Sequence, residues 1–267
     1  MTAAVACRQL TFSFGEQLAV DHVDLEIAPG EVFGLLGPNG AGKTTTIRIL
    51  TTLLPCERGS AEIFGVDVGR HPMEVRRLIG YVPQQLSADS GLTGRQNLML
   101  YARLYGLPGR VRRQVTEEVL DAMGLTESAD RLVRTYSGGM VRRLELAQAL
   151  VSSPKLLILD EPTTGLDPIG RTDMWERLHA LRKQTGLTVL LTTHYMEEAE
   201  RLCDRLAMMH LGRVRLVGTP QELKSAHGEG ATLEDVFRTV AGRSLGSDEG
   251  GGYRAVRGAR RAANRLG

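Results

Sequence analysis

The chain runs to 267 residues, 42% of them hydrophobic but only 4% aromatic, with a net charge of +2. That length suits one large domain or two small ones around a mostly aliphatic core, and the charge makes no general case for nucleic-acid binding. Three scattered cysteines, Cys7, Cys56 and Cys203, form no Cys-x-x-Cys pair or Cys/His cluster, which argues against a zinc site and for reduced thiols in a cytosolic protein.

The first thirty residues alternate strand-like pieces, Leu10–Phe12 and Val23–Ile27, with turns at Phe14-Gly15-Glu16 and Ala28-Pro29-Gly30. No charged stretch followed by a long apolar run opens the chain, so no signal peptide is expected. The apolar run Val32–Leu36 reads as a buried strand and Thr46–Leu50 as a helix. Between them lie Gly37, Pro38, Asn39, Gly40, Ala41, Gly42, Lys43, Thr44 and Thr45. Strand, Gly-x4-Gly-Lys-Thr and helix together predict a phosphate-binding loop. Glycines let backbone N–H groups curl around phosphate oxygens, the helix N-terminus adds a positive dipole end, and Lys43 neutralises the outer phosphates. The Thr44 hydroxyl can ligate Mg²⁺. A Gly-rich turn that binds nothing is the bland alternative; the lysine and threonine in register argue against it.

A further strand pair, Ser60–Phe64 and Ile79–Val82, follows. Residues 93–152 then change character and become helical. Leu98, Tyr101, Leu104 and Tyr105 recur at helical spacing, as do Val115, Val119, Leu120 and Met123. After this lobe, strands at Leu156–Leu159 and Thr188–Leu191 alternate with helices near 169–183 and 196–202, which implies a mostly parallel sheet with helices on its faces. No apolar run exceeds four or five residues, against roughly 20 for a membrane-spanning helix. Thr232 can cap a short helix whose Leu233, Val236, Phe237 and Val240 share one face, expected to pack on the chain's own fold. The remainder, residues 243–267, holds six arginines against Asp248 and Glu249. It is expected to be a disordered, solvated tail rather than an anchor to an anionic membrane surface.

In open α/β sheets ligands sit beyond the carboxyl ends of the strands. Gly37, Gln84, the pair Asp160-Glu161, and His194 each follow a predicted strand. Asp160 can hold Mg²⁺, and Glu161 can polarise an attacking water as general base. Two solvated carboxylates, a satisfied core histidine and an ordinary loop amide are the alternatives; the upstream phosphate loop favours the active-site reading. Ser137-Gly138-Gly139 opens another helix. Such a start is usually only a cap, but the diglycine permits close approach to an anion, and half a site could be completed by a second copy of the chain.

These motifs together resemble the ATP-binding cassette of ABC transporters over residues 3–242, with a helical lobe at about 85–152. Gly37–Thr45 corresponds to Walker A, Leu156–Glu161 to Walker B, and Thr135–Met140 to the signature. Gln84 corresponds to the Q-loop, Gly165-Leu166-Asp167 to the D-loop, and His194 to the switch histidine. The resemblance implies an α/β P-loop NTPase with a mostly parallel core sheet, an N-terminal antiparallel β portion and the inserted helical lobe. Phe14 falls where an aromatic stacks on adenine, with the hydroxyl of the usual Tyr missing. Met140 replaces the usual Gln of the signature and cannot hydrogen-bond as Gln does. The segments Thr135–Met140, Thr192–Glu200 and Thr232–Phe237 are most similar to the daunorubicin-resistance type of drug exporter ATPase.

What the resemblance implies is a Mg²⁺-dependent ATPase working as two cassettes head to tail around two ATPs. Lys43 and the loop amides would hold ATP; Thr44, Gln84 and Asp160 would arrange Mg²⁺; Glu161 would activate water and His194 steady the γ-phosphate. Ser137, Gly138 and Gly139 of the other chain would close over the γ-phosphate, and Asp167 of the D-loop would count among the nucleotide-binding residues. A separate transmembrane permease, docked near residues 85–105, would place the subunit on the cytoplasmic face of the membrane. One rival is a soluble mechano-ATPase of the same family acting on DNA or ribosomes. Such proteins usually carry a coiled coil between the Walker motifs or two cassettes, whereas 117 positions without heptads separate Lys43 from Asp160 and there is one phosphate loop. A GTPase switch or a kinase would leave the diglycine unexplained, and no Asn-Lys-x-Asp motif is present.

Overall fold

The computed structural model describes residues 2–228 and 230–246, with side chains up to Gly242. In chain order, β1 (Val5–Phe14) and β2 (Gln17–Ile27) form a hairpin, and β3 (Val32–Leu36) runs through the glycine-rich loop into α1 (Lys43–Leu50). Next come β4 (Arg58–Ile63), β5 (Val66–Asp67), α2 (Pro72–Leu78) and β6 (Ile79–Val82). The helical lobe is α3 (Gly94–Leu104), α4 (Gly109–Ala122) and α5 (Gly138–Leu150). The chain continues through β7 (Leu156–Asp160), α6 (Pro168–Thr185), β8 (Thr188–Thr193) and α7 (Met196–Leu202). It closes with β9 (Arg205–His210), β10 (Arg213–Gly218), α8 (Pro220–His227) and α9 (Leu233–Gly246).

The strands sort into two sheets. An antiparallel sheet has the order β2-β1-β4-β5, and a larger one the order β10-β9-β3-β8-β7-β6. Strands β9, β3, β8, β7 and β6 are parallel, and β10 closes one edge antiparallel. The two strands expected as a pair after the phosphate loop are therefore not partners. β4 joins β1 in the antiparallel sheet, whereas β6 joins β7 in the core sheet. Their separation has a plain cause: α2, which the sequence reading passed over, carries the chain from one sheet to the other.

Alternation along the core strands divides the interior. Phe33, Leu35, Leu156, Ile158, Leu190, Ala207 and Met209 face α1 and the antiparallel sheet. Leu36, Leu157, Leu159, Val189, Leu191, Leu206 and Met208 face the helices. A parallel strand covered on both faces must be apolar at every position, which is why β7 reads Leu-Leu-Ile-Leu. Each such side chain contributes about 1.5–3 kcal/mol on burial. Cys7 and Cys203 belong to these cores, one on each side, and burial pushes the Cys7 thiol up to about 12 and that of Cys203 up as well. All three cysteines are free.

The β9–β10 hairpin lay beyond the sequence reading. β9 and β10 are a hairpin turning at Leu211-Gly212, and β9 sits beside β3. Helix α9 packs Leu233 and Val236 into the helical-side core, with Phe237 against it, as expected of a face turned onto its own fold. Its backbone runs on to Gly246; the rest of the expected tail lies outside the described residues. Among the described residues no helix is long and apolar enough to cross a membrane.

Candidate nucleotide site at the strand ends

The sheet order places four strand ends side by side. β3, β8, β7 and β6 are consecutive neighbours. Leu36 pairs with Thr193, Asp160 with Thr192 and Leu159 with Val82. The residues that follow or end these strands, Gly37, His194, Asp160 with Glu161, and Gln84, therefore line one edge. Residues up to 157 positions apart in the chain become neighbours because the strands are parallel and in register.

The loop after β3 is wedged in place by backbone. Gly212 N–H donates to Ala41 O (3.0 Å), and Asp21 N–H donates to Gly212 O (2.9 Å). Gly37 and Gly42 have no room for a side chain: a Cβ would stand 2.3 Å from Met209 O and 2.5 Å from Ala19 O respectively. Gly42 also holds φ of 103°, a conformation natural only to glycine. Pro38, Asn39 and Gly40 are exposed at the mouth, while Ala41, Gly42 and Lys43 are buried. The Lys43 ammonium donates to Gly37 O (2.6 Å) and Pro38 O (3.1 Å) and lies 3.6 Å from Glu161 Oε1. Burial depresses its basicity, and the carboxylates of Glu161 and Asp160 partly restore it. A cation held at this depth is set to gain from further negative charge arriving in the loop.

The acidic pair is bound from every side. Asp160 Oδ1 accepts from Thr192 Oγ1 (2.7 Å) and from Thr44 Oγ1 (3.2 Å). Glu161 Oε2 accepts from Gln84 Nε2 (3.1 Å), and His194 Nδ1 lies 3.3 Å from Glu161 Oε1. Glu161 adopts φ of 48°, a left-handed conformation that costs a non-glycine residue about 1–3 kcal/mol. Its N–H is held by Thr192 Oγ1 at 2.9 Å. Strain of this kind persists only where the surroundings over-determine it, and it aims the carboxylate into the crevice. Thr192 was not singled out from sequence. The available signal was a buried apolar strand that nonetheless ends in two threonines.

His194 is steadied from below. Glu198, buried on α7, accepts from Thr193 Oγ1 (2.7 Å), Thr163 Oγ1 (2.6 Å) and Trp175 Nε1 (2.9 Å). It joins the segment after Glu161 to the segment carrying His194. The His194 ring lies tilted against Tyr195, centroid to centroid 4.1 Å, and the Arg171 guanidinium lies over the Tyr195 ring at 4.7 Å.

The donor set suits a small hard cation. Thr44, Asp160 and the Gln84 amide oxygen are all oxygen ligands, the kind Mg²⁺ takes alongside substrate phosphates. Among the described residues no three His, Cys, Asp or Glu side chains gather as metal ligands. The remaining ligands would thus come from water and phosphate.

The other expected residues stand apart from this cluster. Ser137 caps α5, accepting from Met140 N–H at 3.3 Å; it and Gly138 are exposed, and a Cβ on Gly138 or Gly139 would meet nothing within 4 Å. Asp167 caps α6, accepting from Gly170 N–H at 2.7 Å, and is exposed beside Ile169, itself 84% exposed. Phe14 ends β1 half exposed, edge-on to Phe12 at 5.0 Å, opposite Gln17 in the hairpin whose Ala19 approaches Gly42.

Comparison with known proteins agrees with this layout. Residues 20–164 match the ABC transporter family. The chain is 48% identical over 227 residues to the daunorubicin/doxorubicin resistance ATP-binding protein of Streptomyces peucetius, covering 85% of this chain and 68% of that one. It is 45% identical over 221 residues to the Nod factor export ATP-binding protein I of Paraburkholderia xenovorans, covering 83% and 72%. Among solved structures, a dimeric ATP-binding cassette captured after hydrolysis with ADP and Pi superposes with a TM-score of 0.72 at 27% identity, covering 80% of this chain and 98% of that one.

Proposed function

The chain belongs to the ABC transporter family as an ATP-binding, ATP-hydrolysing subunit, and from that premise we propose that it powers export of a hydrophobic drug or antibiotic through a separate membrane permease. The carrying observation is one crevice in which Lys43, Asp160, Glu161, Gln84 and His194 converge, with Ser137-Gly138-Gly139 presented elsewhere on the surface. Relatives associated with drug resistance and with Nod factor export favour the transport direction. The relatives named above are transport proteins by their descriptions and lend nothing to the soluble mechano-ATPase rival.

In this reading Lys43 and the loop amides bind the phosphates of ATP. Thr44, Asp160 and Gln84 hold Mg²⁺, which when bound neutralises phosphate charge. Glu161 accepts a proton from the attacking water, an effect worth about 10²–10⁴-fold. His194, braced through Thr193 by Glu198, donates to the γ-phosphate oxygens. Phe14 stacks on adenine. Ser137, Gly138 and Gly139 of a second copy close over the γ-phosphate, and Asp167 lies along the same two-fold interface, each protomer supplying the half the other lacks. ATP closes the pair and hydrolysis reopens it. The permease holds the subunit at the cytoplasmic face of the membrane. Its candidate contact is the segment 85–105, which carries exposed Leu86, Leu100 and Leu104.

Glu161→Gln tests the reading. The variant is expected to bind ATP, to lose turnover by about 10²–10⁴-fold, and to elute as a dimer with ATP and as a monomer without it. Turnover at the wild-type rate removes Glu161 from its role. A dead variant that stays monomeric with ATP removes the shared site.

A further inference from the structure

Helix α5 carries more than the diglycine. One turn in, Arg142 and Glu145 are each only 2% exposed and pair through Nη1 and Oε2 at 2.9 Å. A buried ion pair is weak evidence for stability, since two apolar side chains would hold the helix as well. The reach of this pair is what needs explaining. Arg142 Nε donates to Pro162 O (2.7 Å), Nη1 to Pro83 O (2.8 Å) and Nη2 to Glu161 O (3.2 Å). Glu145 accepts from the backbone N–H of Ser87 and from its hydroxyl at 3.2 Å.

The contacts fall at chosen places. Pro83 immediately precedes Gln84, and Ser87 follows it by three positions. The Glu161 carbonyl belongs to the residue in the left-handed conformation, so Arg142 holds the peptide that follows this residue while Thr192 holds the peptide that precedes it. A guanidinium presents five donors in a rigid planar fork, whereas an ammonium is a point charge on a flexible stem and fixes direction less well. No other residue described here ties the diglycine helix to both the segment around Gln84 and the segment around Glu161.

We propose that Arg142, oriented by Glu145, is a positioning residue: it sets the Glu161 carboxylate and the Gln84 amide at a fixed offset from the diglycine end of α5. The inference rests on the roles given above to Glu161 and the diglycine. Through this pair, a lobe pulled by nucleotide in the partner's site moves the chain's own water-activating carboxylate with it.

Arg142→Lys and Glu145→Gln in the full chain, assayed with Mg²⁺ and ATP, decide the matter. Arg142→Lys is expected to lower kcat about a hundredfold, the scale of a 1 Å misplacement, with KM and the Kd for ATP changed less than about threefold because Lys43 and the loop are untouched. Glu145→Gln, which keeps the carbonyl contacts of Arg142, is expected to lose less. Placed in the Glu161→Gln background, Arg142→Lys is expected to cost far less than it does alone, since most of its effect passes through that carboxylate. Wild-type kcat in Arg142→Lys, a matching loss of ATP binding, or losses that multiply in the double variant would each overturn the proposal. If Glu161→Gln itself turns over normally, the functional reading fails first, and the two failures are told apart.

Discussion

The crevice at the strand ends and the diglycine start of α5 are both glycine-rich helix openings, yet they are built in opposite ways. In the crevice, Gly37 and Gly42 are pressed against Met209 and Ala19, and Lys43, Thr44 and Gln84 each hydrogen-bond within the chain. At the diglycine, a side chain would meet nothing, and the hydrogen bonds stay within the first turn of the helix. Glycine in the first place answers a demand from the fold. In the second it leaves a surface bare. Beyond the Ser137 cap these glycines have no internal reason, which is the observation behind the proposed contact with a second copy of the chain.

Substitutions can break that contrast. Gly42→Val forces a β-branched residue to φ of 103° and drives it into Ala19 O. It should cost about 2–5 kcal/mol of stability and abolish ATP binding, as thermal melts and nucleotide titration would register. Gly139→Val should change stability by less than about 0.5 kcal/mol and leave ATP affinity intact, while turnover falls about 10²–10³-fold and ATP-driven dimerisation is lost. Equal damage to the fold from both variants would erase the distinction. Phe14→Ala sharpens it at the margin. Phe14 is half exposed at the end of the hairpin that approaches Gly42, so the proposed stacking predicts a loss confined to the nucleotide: KM for ATP up about two- to tenfold, with kcat unchanged.

The fold was legible where chemistry is local. β3, α1, β7 and β8 announce themselves as apolar runs bounded by turn or cap residues, and all four stand where expected. β9 and β10 were missed because the apolar run Leu206–Met209 holds no β-branched or aromatic residue and β10 mixes charged with apolar residues on an exposed edge. The false pairing of the strands at 58–63 and 79–82 came from proximity in sequence; α2, only seven residues long, was too short to signal itself. In the site, Gly37–Thr45, Gln84, Asp160, Glu161 and His194 were picked out as strand-end residues. Thr192, Glu198 and Arg142 were not, because a threonine in a strand and two charged residues in helices carry no pattern of their own.

The sequence by itself determined the pattern of a phosphate-binding loop and where it lies, because such a loop is a local object: glycines, a lysine and a helix start within nine residues. Only the tertiary structure decided which groups face each other across it. Thr44 meets Asp160 from 116 positions away, Gln84 meets Glu161 from 77, and Arg142 reaches Pro83 from 59. Those distances are closed by a parallel sheet whose strand order is set by the packing of two apolar faces, and no short stretch of chain encodes that order.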